Sequence, residues 1–557
     1  MTSQMVMSAL FTVSILSEKI MATGLRKRGV NPVETTKIVV GVAEAILIQP
    51  RPHILINTES GRLCDKQKQT EAFKAHPLYK QLVLSPTSQV GPDGSWKETV
   101  RQYFYYSALS HTWEHRGEPQ FSDVKDISVD DLQETFCNTK LQTFRRISHE
   151  HGYQWAWSDT CCINKAEKEM LDASLRSMYR WYSESSLTIV HLRGVPDELN
   201  IDLDMLLDIL DKLLKDFVEC RWNQRAWTLQ EYFASRNIHF YTEDWKPYLP
   251  IEVRRADTRP EPTNHKNHHT IQRGMELVTG LGAARLAALN PGSAEVRQKL
   301  RLASTRHATR KEDVAYSLLG IFELTIETVY GDDEVPRALG RLLGALLTQS
   351  ADVSILAWTG KPSKYNTCLP AEITVYQKSE SLHIPNPIDS DEVTTSVSAM
   401  RSYMSKTELD SALRLHDRLL DASPPELHHG RLKLPCISFP LSHVTKNPDH
   451  SYAATTPLLE RVEIKTEEDL SSVRNMFLVH PWFSYLLDAG APLSGPPRQD
   501  SALKFLASLK QPFGALLVAL TARDYRRIAA DSIVEAKIQE DVSAEQLLEN
   551  IRVLYIR

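Results

Sequence analysis

The central part of the chain alternates between short apolar runs and amphipathic segments. Residues 105–110, 153–158 and 187–192 are rich in aromatic or β-branched side chains, which is typical of buried strands. Residues 141–151 and 167–182 lie between these runs and place apolar side chains three or four positions apart, which predicts helices. Because strands and helices alternate along the chain, we expect this region to form a parallel α/β layer.

The pattern changes twice towards the C-terminus. Residues 224–234 and 237–241 predict one more helix and strand, and residues 272–320 are predominantly helical. Beyond about residue 370, prolines and β-forming runs such as residues 431–435 predict an α+β domain. A chain of 557 residues is also too long for one compact core. The predicted parts are an N-terminal extension (1–50), an α/β core (51–250), a mostly helical continuation (251–370) and a C-terminal α+β domain (371–557).

Composition and charge narrow the class of protein. Hydrophobic residues make up 42% and charged residues 24%, which are ordinary globular values. The formal net charge of -5 provides no basic field for a phosphate backbone, so we expect no nucleic-acid partner. The seven cysteines are odd in number and contain no Cys-x-x-Cys pair, which favours reduced thiols in a cytosolic or nuclear compartment, and of these we expect the cytoplasm.

Two apolar runs near the N-terminus require a separate interpretation. No basic residue precedes residues 8–16, as would be usual in a secretory signal. Residues 38–48 include Glu44 and form too short a run to cross a bilayer. We therefore expect no membrane span.

The first patch of candidate chemistry follows the run at residues 153–158. Asp159 stands where open α/β sheets place their ligands, and together with Asn164 it could hold a ribose hydroxyl or a cation. In the alternative interpretation Asp159 only closes a turn. His111 follows the run at residues 105–110 and is either an acid–base residue at a strand end or a packed histidine.

Cysteines and histidines suggest two further kinds of site. Cys161 and Cys162 are adjacent, so at most one of them faces a site as a nucleophile, and buried inert thiols are the favoured alternative. His265, His268 and His269 have a spacing loosely compatible with metal binding. They lie in a polar segment predicted as a loop, without a supporting cysteine or carboxylate pattern, so no metal site is predicted.

The second patch lies in the predicted helix at residues 224–234. Trp227 and Glu231 are four positions apart and therefore share a helix face. A carboxylate beside an indole could stack a base or a nicotinamide ring, and partial burial would raise the pKa of such a glutamate. The alternative is a core tryptophan with a glutamate that pairs with Arg225 or another cation.

In this order the patches resemble the fungal heterokaryon-incompatibility (HET) domain, in particular the variety found in mushroom-forming fungi. The matching fragments are residues 108–113, 157–164, 178–182, 225–231, 303–331 and 354–358. His111 and Glu114 depart from the family pattern, which has Tyr and Gly at those places, and Asp332 and Asp333 replace a Glu-Gly pair. The resemblance implies an intracellular fungal protein of non-self recognition and programmed cell death.

HET domains are thought to be distantly similar to TIR domains, so the resemblance also implies a TIR-like parallel core. In TIR enzymes a glutamate supports NAD cleavage, and Glu231 is where that residue would map, with substrate contacts from Asp159, Asn164, Trp227 and His111. We expect the domain to act by self-association or by binding other incompatibility or signalling proteins, with no required cofactor. The alternatives are an NAD glycohydrolase, with NAD as its substrate, and an inactive HET relic.

Overall fold

The chain folds into two compact units that combine helices and sheets. The computed structural model describes residues 32–84, 95–114, 117–195, 206–249, 264–292, 295–331, 334–377, 391–481 and 496–557. The first unit comprises residues 1–222 and 231–272, and the second comprises residues 223–230 and 273–557. The mixed α/β class predicted from the sequence is confirmed. The four-part division of the chain stays a prediction, and residues 1–31 of its N-terminal extension lie outside the described residues.

The first unit contains the alternating strands and helices. Amphipathic spacing accounts for its longer helices: residues 136–150, for example, bury Leu141, Phe144 and Ile147, and Thr135 caps the first turn by accepting a hydrogen bond from the Asn138 amide. The elements are α1 (Pro32–Ile48), β1 (Leu55–Asn57), β2 (Leu63–Cys64), α2 (Lys66–Ala75), α3 (Pro77–Leu84), α4 (Ser95–Tyr103), β3 (Tyr106–His111), α5 (Phe121–Val124), α6 (Phe136–Glu150), β4 (Trp155–Trp157), α7 (Lys168–Glu184), β5 (Leu187–His191), α8 (Leu206–Glu219), α9 (Arg221–Gln224), α10 (Ala226–Ala234), β6 (Ile238–Tyr241) and α11 (His269–Thr279); α9–α11 continue into the second unit.

The strands of the first unit form one six-stranded sheet. Its order is β2-β1-β4-β3-β5-β6, with β3, β4, β5 and β6 mutually parallel and β1 antiparallel to both of its neighbours. The four parallel strands are therefore in the order second, first, third, fourth along the chain. This is the order of flavodoxin-like sheets, in which the connections change direction between the first and third strands.

Helices cover the sheet on both faces. The Ser107 hydroxyl donates to Ser148 of α6, whereas the Tyr106 hydroxyl donates to the backbone carbonyl of Trp181 in α7. Because successive side chains of a strand point to opposite faces, α6 and α7 pack on opposite sides of β3. The residues of β3, β4, β5 and β6 are buried on both faces, which explains why the strands read as nearly continuous hydrophobic runs.

The second unit combines helices with a larger, mostly antiparallel sheet. Its elements are α12 (Ala283–Ala288), α13 (Val296–Ala303), α14 (Asp313–Tyr316), α15 (Glu334–Ser350), α16 (Asp391–Tyr403), α17 (Lys406–Leu420), β7 (Glu426–His428), β8 (Arg431–Pro440), β9 (His443–Lys446), β10 (Tyr452–Thr456), β11 (Leu459–Ile464), β12 (Met476–Pro481), α18 (Pro496–Leu509), β13 (Phe513–Leu520), β14 (Tyr525–Arg527), β15 (Val534–Ala536), α19 (Ala544–Leu548) and β16 (Ile551–Ile556). The pairings β8–β12, β12–β13, β13–β14, β14–β16 and β16–β8 close five of these strands into a ring.

Side chains from several elements hold the second unit together. Ile437, Phe439 and Leu478 lie in one buried cluster with Leu415 and Leu506 from the helices. Arg527 is buried on the strand β14 and donates to the backbone carbonyls of Leu356 and Trp358, and its guanidinium lies 3.9 Å from the centre of the Trp358 ring. These contacts tie the residues that precede α16 to the sheet.

Several local predictions differ from the structure. The helices α2–α4, which follow the short strands β1 and β2, were not predicted from the sequence. The segment at residues 255–269 was expected to be a loop; residues 265–267 form a short 3-10 helix and α11 begins at His269. The reason lies in capping, because the Asn264 side chain accepts a hydrogen bond from the Lys266 amide. The departure at Asp332 and Asp333 falls outside the described residues. Within the described part of the chain, no helix has the length and apolar character needed to cross a bilayer.

Candidate functional site

The candidate site lies at the carboxyl ends of the parallel strands of the first unit. His111 ends β3 and His191 ends β5, and the two residues are register partners on neighbouring strands. The chain connections depart in opposite directions from these two strands, which creates a crevice at their carboxyl ends. In open α/β sheets this crevice is the usual position for a ligand.

A buried cluster surrounds His111. The Nε2 atom of His111 donates to Oδ1 of Asp159 at 3.2 Å, and the indole Nε1 of Trp113 donates to Oδ2 of Asp159 at 3.0 Å. His111 is 3% exposed and Asp159 is 6% exposed. The ammonium of Lys165 lies 4.2 Å from the centre of the Trp113 ring, a cation–π distance. The sequence-predicted residues His111 and Asp159 are therefore in direct contact.

Burial controls the charge of His111. Loss of solvation lowers the pKa of the imidazole, the nearby Lys140 ammonium lowers it further, and the Asp159 carboxylate acts in the opposite direction. The lowered pKa favours a neutral imidazole at physiological pH. In that form Nε2 carries the proton that bonds Asp159, because an ionised carboxylate only accepts.

The turn after β4 directs Asp159 towards His111. The Cys162 amide donates to the Ser158 carbonyl at 2.9 Å, and the hydroxyls of Ser158 and Thr160 are 2.9 Å apart, so this turn is closed by residues on either side of Asp159. Asn164 behaves differently, since its side chain donates to Glu167 and accepts from the Ala166 amide. Those contacts of Asn164 stay within its own turn, just before α7.

Glu231 is buried on the other face of β3. The Ser110 hydroxyl donates to Oε2 of Glu231 at 2.5 Å, and the indole of Trp222 donates to the same hydroxyl at 2.7 Å. Glu231 is 2% exposed and Ser110 is fully buried. Ser110 and His111 are successive strand residues, so their side chains point to opposite faces. Asp159 and Glu231 consequently approach neighbouring residues of β3 from opposite sides of the sheet.

Trp227 has a different environment from Glu231. It belongs to the second unit, where its indole Nε1 donates to Oδ2 of Asp313 at 3.0 Å. The Tyr330 hydroxyl donates to the other oxygen of this carboxylate at 2.8 Å. Burial raises the pKa of Asp313, while the two donors act to lower it. In the described contacts Trp227 is therefore a packed indole that is hydrogen-bonded to Asp313.

A buried ion pair on α6 is a feature that we did not predict from the sequence. The Lys140 ammonium lies 2.5 Å from Oε1 of Glu118, and the two side chains are only 2% and 4% exposed. Lys140 precedes the buried Phe144 by four positions, which places it on the apolar stripe of α6. A lysine on such a stripe is the sequence signal that could have indicated a buried cationic partner.

The rim of the crevice carries further charged and aromatic groups that sequence reasoning missed. Oε1 of Glu114 lies 3.4 Å from the Arg193 guanidinium, and Arg193 also pairs with Glu243. The His191 Nε2 donates to the Glu243 carbonyl, and its ring stacks on Trp245 at 4.5 Å. Burial lowers the pKa of His191 to about 3, so this ring is neutral at physiological pH.

The cysteines and histidines that were considered as candidate nucleophiles or metal ligands can be located in the structure. Cys161 and Cys162 are buried, and burial raises the pKa of Cys162, which favours the uncharged thiol. The Nδ1 atom of His265 accepts a hydrogen bond from the Phe240 amide of the edge strand β6. Among the residues that the structure describes, no group of three or more histidine, cysteine or acidic side chains is arranged to hold a metal ion.

Comparison with known proteins identifies the region that carries the crevice. The model of the family "Heterokaryon incompatibility protein (HET)" matches residues 106–208, which include β3, β4 and β5. This chain is a HET domain-containing protein. His111 and Asp159 lie inside the matched HET region, and Glu231 lies beyond it. The resemblance seen in the sequence is thereby confirmed, whereas the variety of HET domain stays a prediction.

One curated relative extends the match. The chain is 29% identical over 244 residues to vegetative incompatibility protein HET-E-1 of Podospora anserina. The alignment covers 42% of this chain but only 16% of that protein, so the chain spans a small part of its relative. No solved structure gives a significant match to the chain.

Proposed function

We propose that this protein acts in fungal heterokaryon incompatibility, and that its HET domain promotes programmed cell death in the cytoplasm by self-association or by binding another incompatibility or signalling protein. The single observation that carries the proposal is the HET match over β3, β4 and β5, three of the four parallel strands of the first unit. The incompatibility named for the Podospora anserina relative supports the same role.

The geometry of the first unit favours binding over catalysis. Glu231 is 2% exposed and its Oε2 already accepts the Ser110 proton. Asp159 is likewise occupied, with donors from His111 and Trp113. Carboxylates held in this way fix the strand β3 against its neighbouring elements and have little surface left for a substrate.

A surface beside the crevice offers a place for a protein partner. Phe136 begins α6, is 41% exposed and packs its ring 4.0 Å from the Arg193 guanidinium. It borders a groove of about 680 Å3 that is lined by residues 117–119, 123, 132–133 and 135–138. An exposed aromatic ring next to an arginine is the kind of anchor that dominates binding at protein interfaces.

Expression of the full chain in fungal cells tests the proposal. We expect cells that express the wild-type chain to lose viability. We expect Phe136→Ala to make this loss smaller, because the substitution removes the exposed ring. Ile127→Ala is the matched control, since Ile127 is 37% exposed and does not line the groove. Full viability at a protein level that is verified by immunoblot would contradict the proposed role and would favour the inactive relic.

The second candidate function is a TIR-like NAD glycohydrolase, and the position of Glu231 beside Ser110, at the carboxyl end of the parallel strand β3, favours it. In this reaction water replaces nicotinamide on the ribose, and a carboxylate stabilises the positive charge that develops as the glycosidic bond breaks. Glu231 would supply the carboxylate, while Asp159, Asn164, Trp227 and His111 would contact the substrate. The role requires Glu231 to exchange its Ser110 bond for the substrate.

Release of nicotinamide from NAD by the purified chain tests this second function. If Glu231 is catalytic, Glu231→Gln stops the release, whereas Glu169→Gln on an exposed position of α7 leaves it unchanged. No release by the wild-type protein would exclude the enzymatic candidate under the conditions tested.

A further inference from the structure

The second unit contains a cavity with a concentration of arginines. Its volume is about 450 Å3, and four of the residues that line it are Arg431, Arg523, Arg526 and Arg557. They come from three separate elements: the start of β8, the turn and strand at residues 521–527, and the segment after β16. The chain as a whole has a net charge of -5, so this positive patch does not reflect a generally basic protein.

Two of these arginines are already paired with carboxylates. The Arg431 guanidinium lies 2.8 Å from Oδ2 of Asp524. Arg526 forms two hydrogen bonds with Glu468, one of them 2.9 Å long between Nη1 and Oε2. For Arg523 and Arg557, the described residues contain no carboxylate within ion-pair distance. The side chains around the cavity therefore carry more positive than negative charge.

The backbone fixes this arrangement. The Thr521 amide and hydroxyl both donate to the Asp524 carbonyl, at 2.8 Å and 2.5 Å, which closes the turn that presents Arg523. The Tyr525 ring packs 5.7 Å from Phe477 and anchors the following strand β14. Because the turn is held by its own backbone, a change of the Arg523 side chain removes a charge without removing a structural contact.

We propose that this cavity binds a phosphate group. Guanidinium groups present two parallel N–H donors that match the oxygens of a phosphate, and a doubly charged phosphate would compensate the surplus positive charge. The volume of about 450 Å3 lies within the range of small-ligand pockets. A nucleic-acid backbone is disfavoured, because it needs an extended basic surface and this site is a single cavity.

A phosphate of this kind has two sources, a small phosphorylated molecule or a phosphorylated side chain of a protein. Both present a tetrahedral phosphate group with negatively charged oxygens to the arginines, so the site fits either source. Inorganic pyrophosphate and O-phosphoserine are suitable probes for the two sources. The probe that binds more tightly identifies the source, and binding of either one supports the phosphate site.

Isothermal titration calorimetry on the full chain tests the proposal. We expect pyrophosphate or O-phosphoserine to bind, and Arg523→Ala to weaken binding by about tenfold or more, because a charge-assisted bidentate contact is lost. Raising the salt concentration should also weaken binding. Arg461→Ala is the control: Arg461 is exposed on β11 and does not line the cavity.

A second variant separates loss of phosphate binding from loss of folding. The double variant Arg431→Gln with Arg523→Gln removes two of the lining guanidinium groups, and its melting temperature reports whether it folds. The proposal is overturned if neither probe binds the wild-type chain, or if a folded double variant binds as tightly as the wild type. This outcome is independent of the HET proposal, which concerns the first unit.

Discussion

The six-stranded sheet of the first unit and the seven-stranded sheet of the second unit differ in the side chains that they bury. In the first unit, the central strands β3 and β5 bury Ser110, His111, Thr188 and His191. In the second unit, the strands that face the helices contribute mainly apolar side chains such as those of Phe439 and Leu478 to one cluster. Buried polar groups are costly unless they are hydrogen-bonded, whereas apolar packing is stabilising by itself. The stability of the first sheet therefore depends on the hydrogen-bond partners of its buried polar groups. The stability of the second sheet depends mainly on close packing of its apolar side chains.

The positions of the polar groups indicate where function resides. Ser110, His111 and His191 lie at the carboxyl ends of the parallel strands, at the point where the connections diverge. The second sheet also buries a few polar side chains, such as Ser438, His480 and Arg527, but its strands are mostly antiparallel and these groups do not share the carboxyl ends of parallel strands. These buried polar groups lie within residues 106–208, the region that matches the HET family.

The largest effect is expected at the buried ion pair of the first unit. Lys140→Met leaves the Glu118 carboxylate buried without its cation and should lower the free energy of unfolding by about 3–5 kcal/mol. Calorimetric unfolding of the full chain measures the loss. The double variant Lys140→Met with Glu118→Gln removes both charges and should recover most of it. A loss below about 1 kcal/mol for the single variant would show that the pair is not buried in solution.

In the second unit the comparable test is a substitution that creates a cavity in the apolar cluster. Leu478→Ala removes a fully buried side chain from the apolar cluster and should cost about 2–5 kcal/mol of stability. Leu520→Ala serves as the control, because Leu520 is 39% exposed. Chemical denaturation of the three proteins compares the two positions. Equal stability of the two variants would mean that the cluster is not close-packed.

A smaller loss is expected from the hydroxyl that links Trp222 to Glu231. Ser110→Ala removes the acceptor of the indole and the donor to the carboxylate, and should cost about 1–3 kcal/mol. The exposed Ser122 provides the matched control Ser122→Ala. The same denaturation experiment applies. If both variants are as stable as the wild type, this buried chain of hydrogen bonds does not hold the sheet.

At neutral pH the smallest effect is expected at His191, and this effect grows as the pH falls. Burial lowers the pKa of His191 to about 3, below its value of about 6.5 in an unfolded chain. The unfolded state therefore binds the additional proton first, and stability is lost as the pH falls from about 6.5 towards 3. His191→Gln should reduce the slope of stability against pH by about 1.4 kcal/mol per pH unit in this range. Unfolding measured between pH 7 and pH 5 checks this, and an unchanged slope contradicts it.

The central strands and their helices could be predicted because each carries its own periodic pattern. The runs at residues 105–110 and 187–192 correspond to β3 and β5, and both are buried along their whole length. The helix α2 was missed for the opposite reason. Its sequence is almost entirely polar, and only Gln69 and Phe73 are buried, so no apolar stripe marks it.

For the candidate site, sequence reasoning found residues but not their pairing. Asp159 and Glu231 stand in dense motifs and could be selected from the sequence. Their partners could not, because His111 is 48 positions from Asp159 and Ser110 is 121 positions from Glu231. Such contacts depend on strand order and on which face each side chain occupies. Trp227 shows the same difficulty, since its partner Asp313 lies 86 positions away.

The most direct test of the account is the viability of fungal cells that express the full chain with Glu231→Gln. A glutamine oxygen still accepts the Ser110 proton but cannot supply a carboxylate to a reacting ribose. If the HET domain acts by binding, cells that express this variant should lose viability as they do with the wild-type chain. Survival of these cells, at unchanged protein abundance and with Glu169→Gln still toxic, would contradict the binding account and assign Glu231 to catalysis.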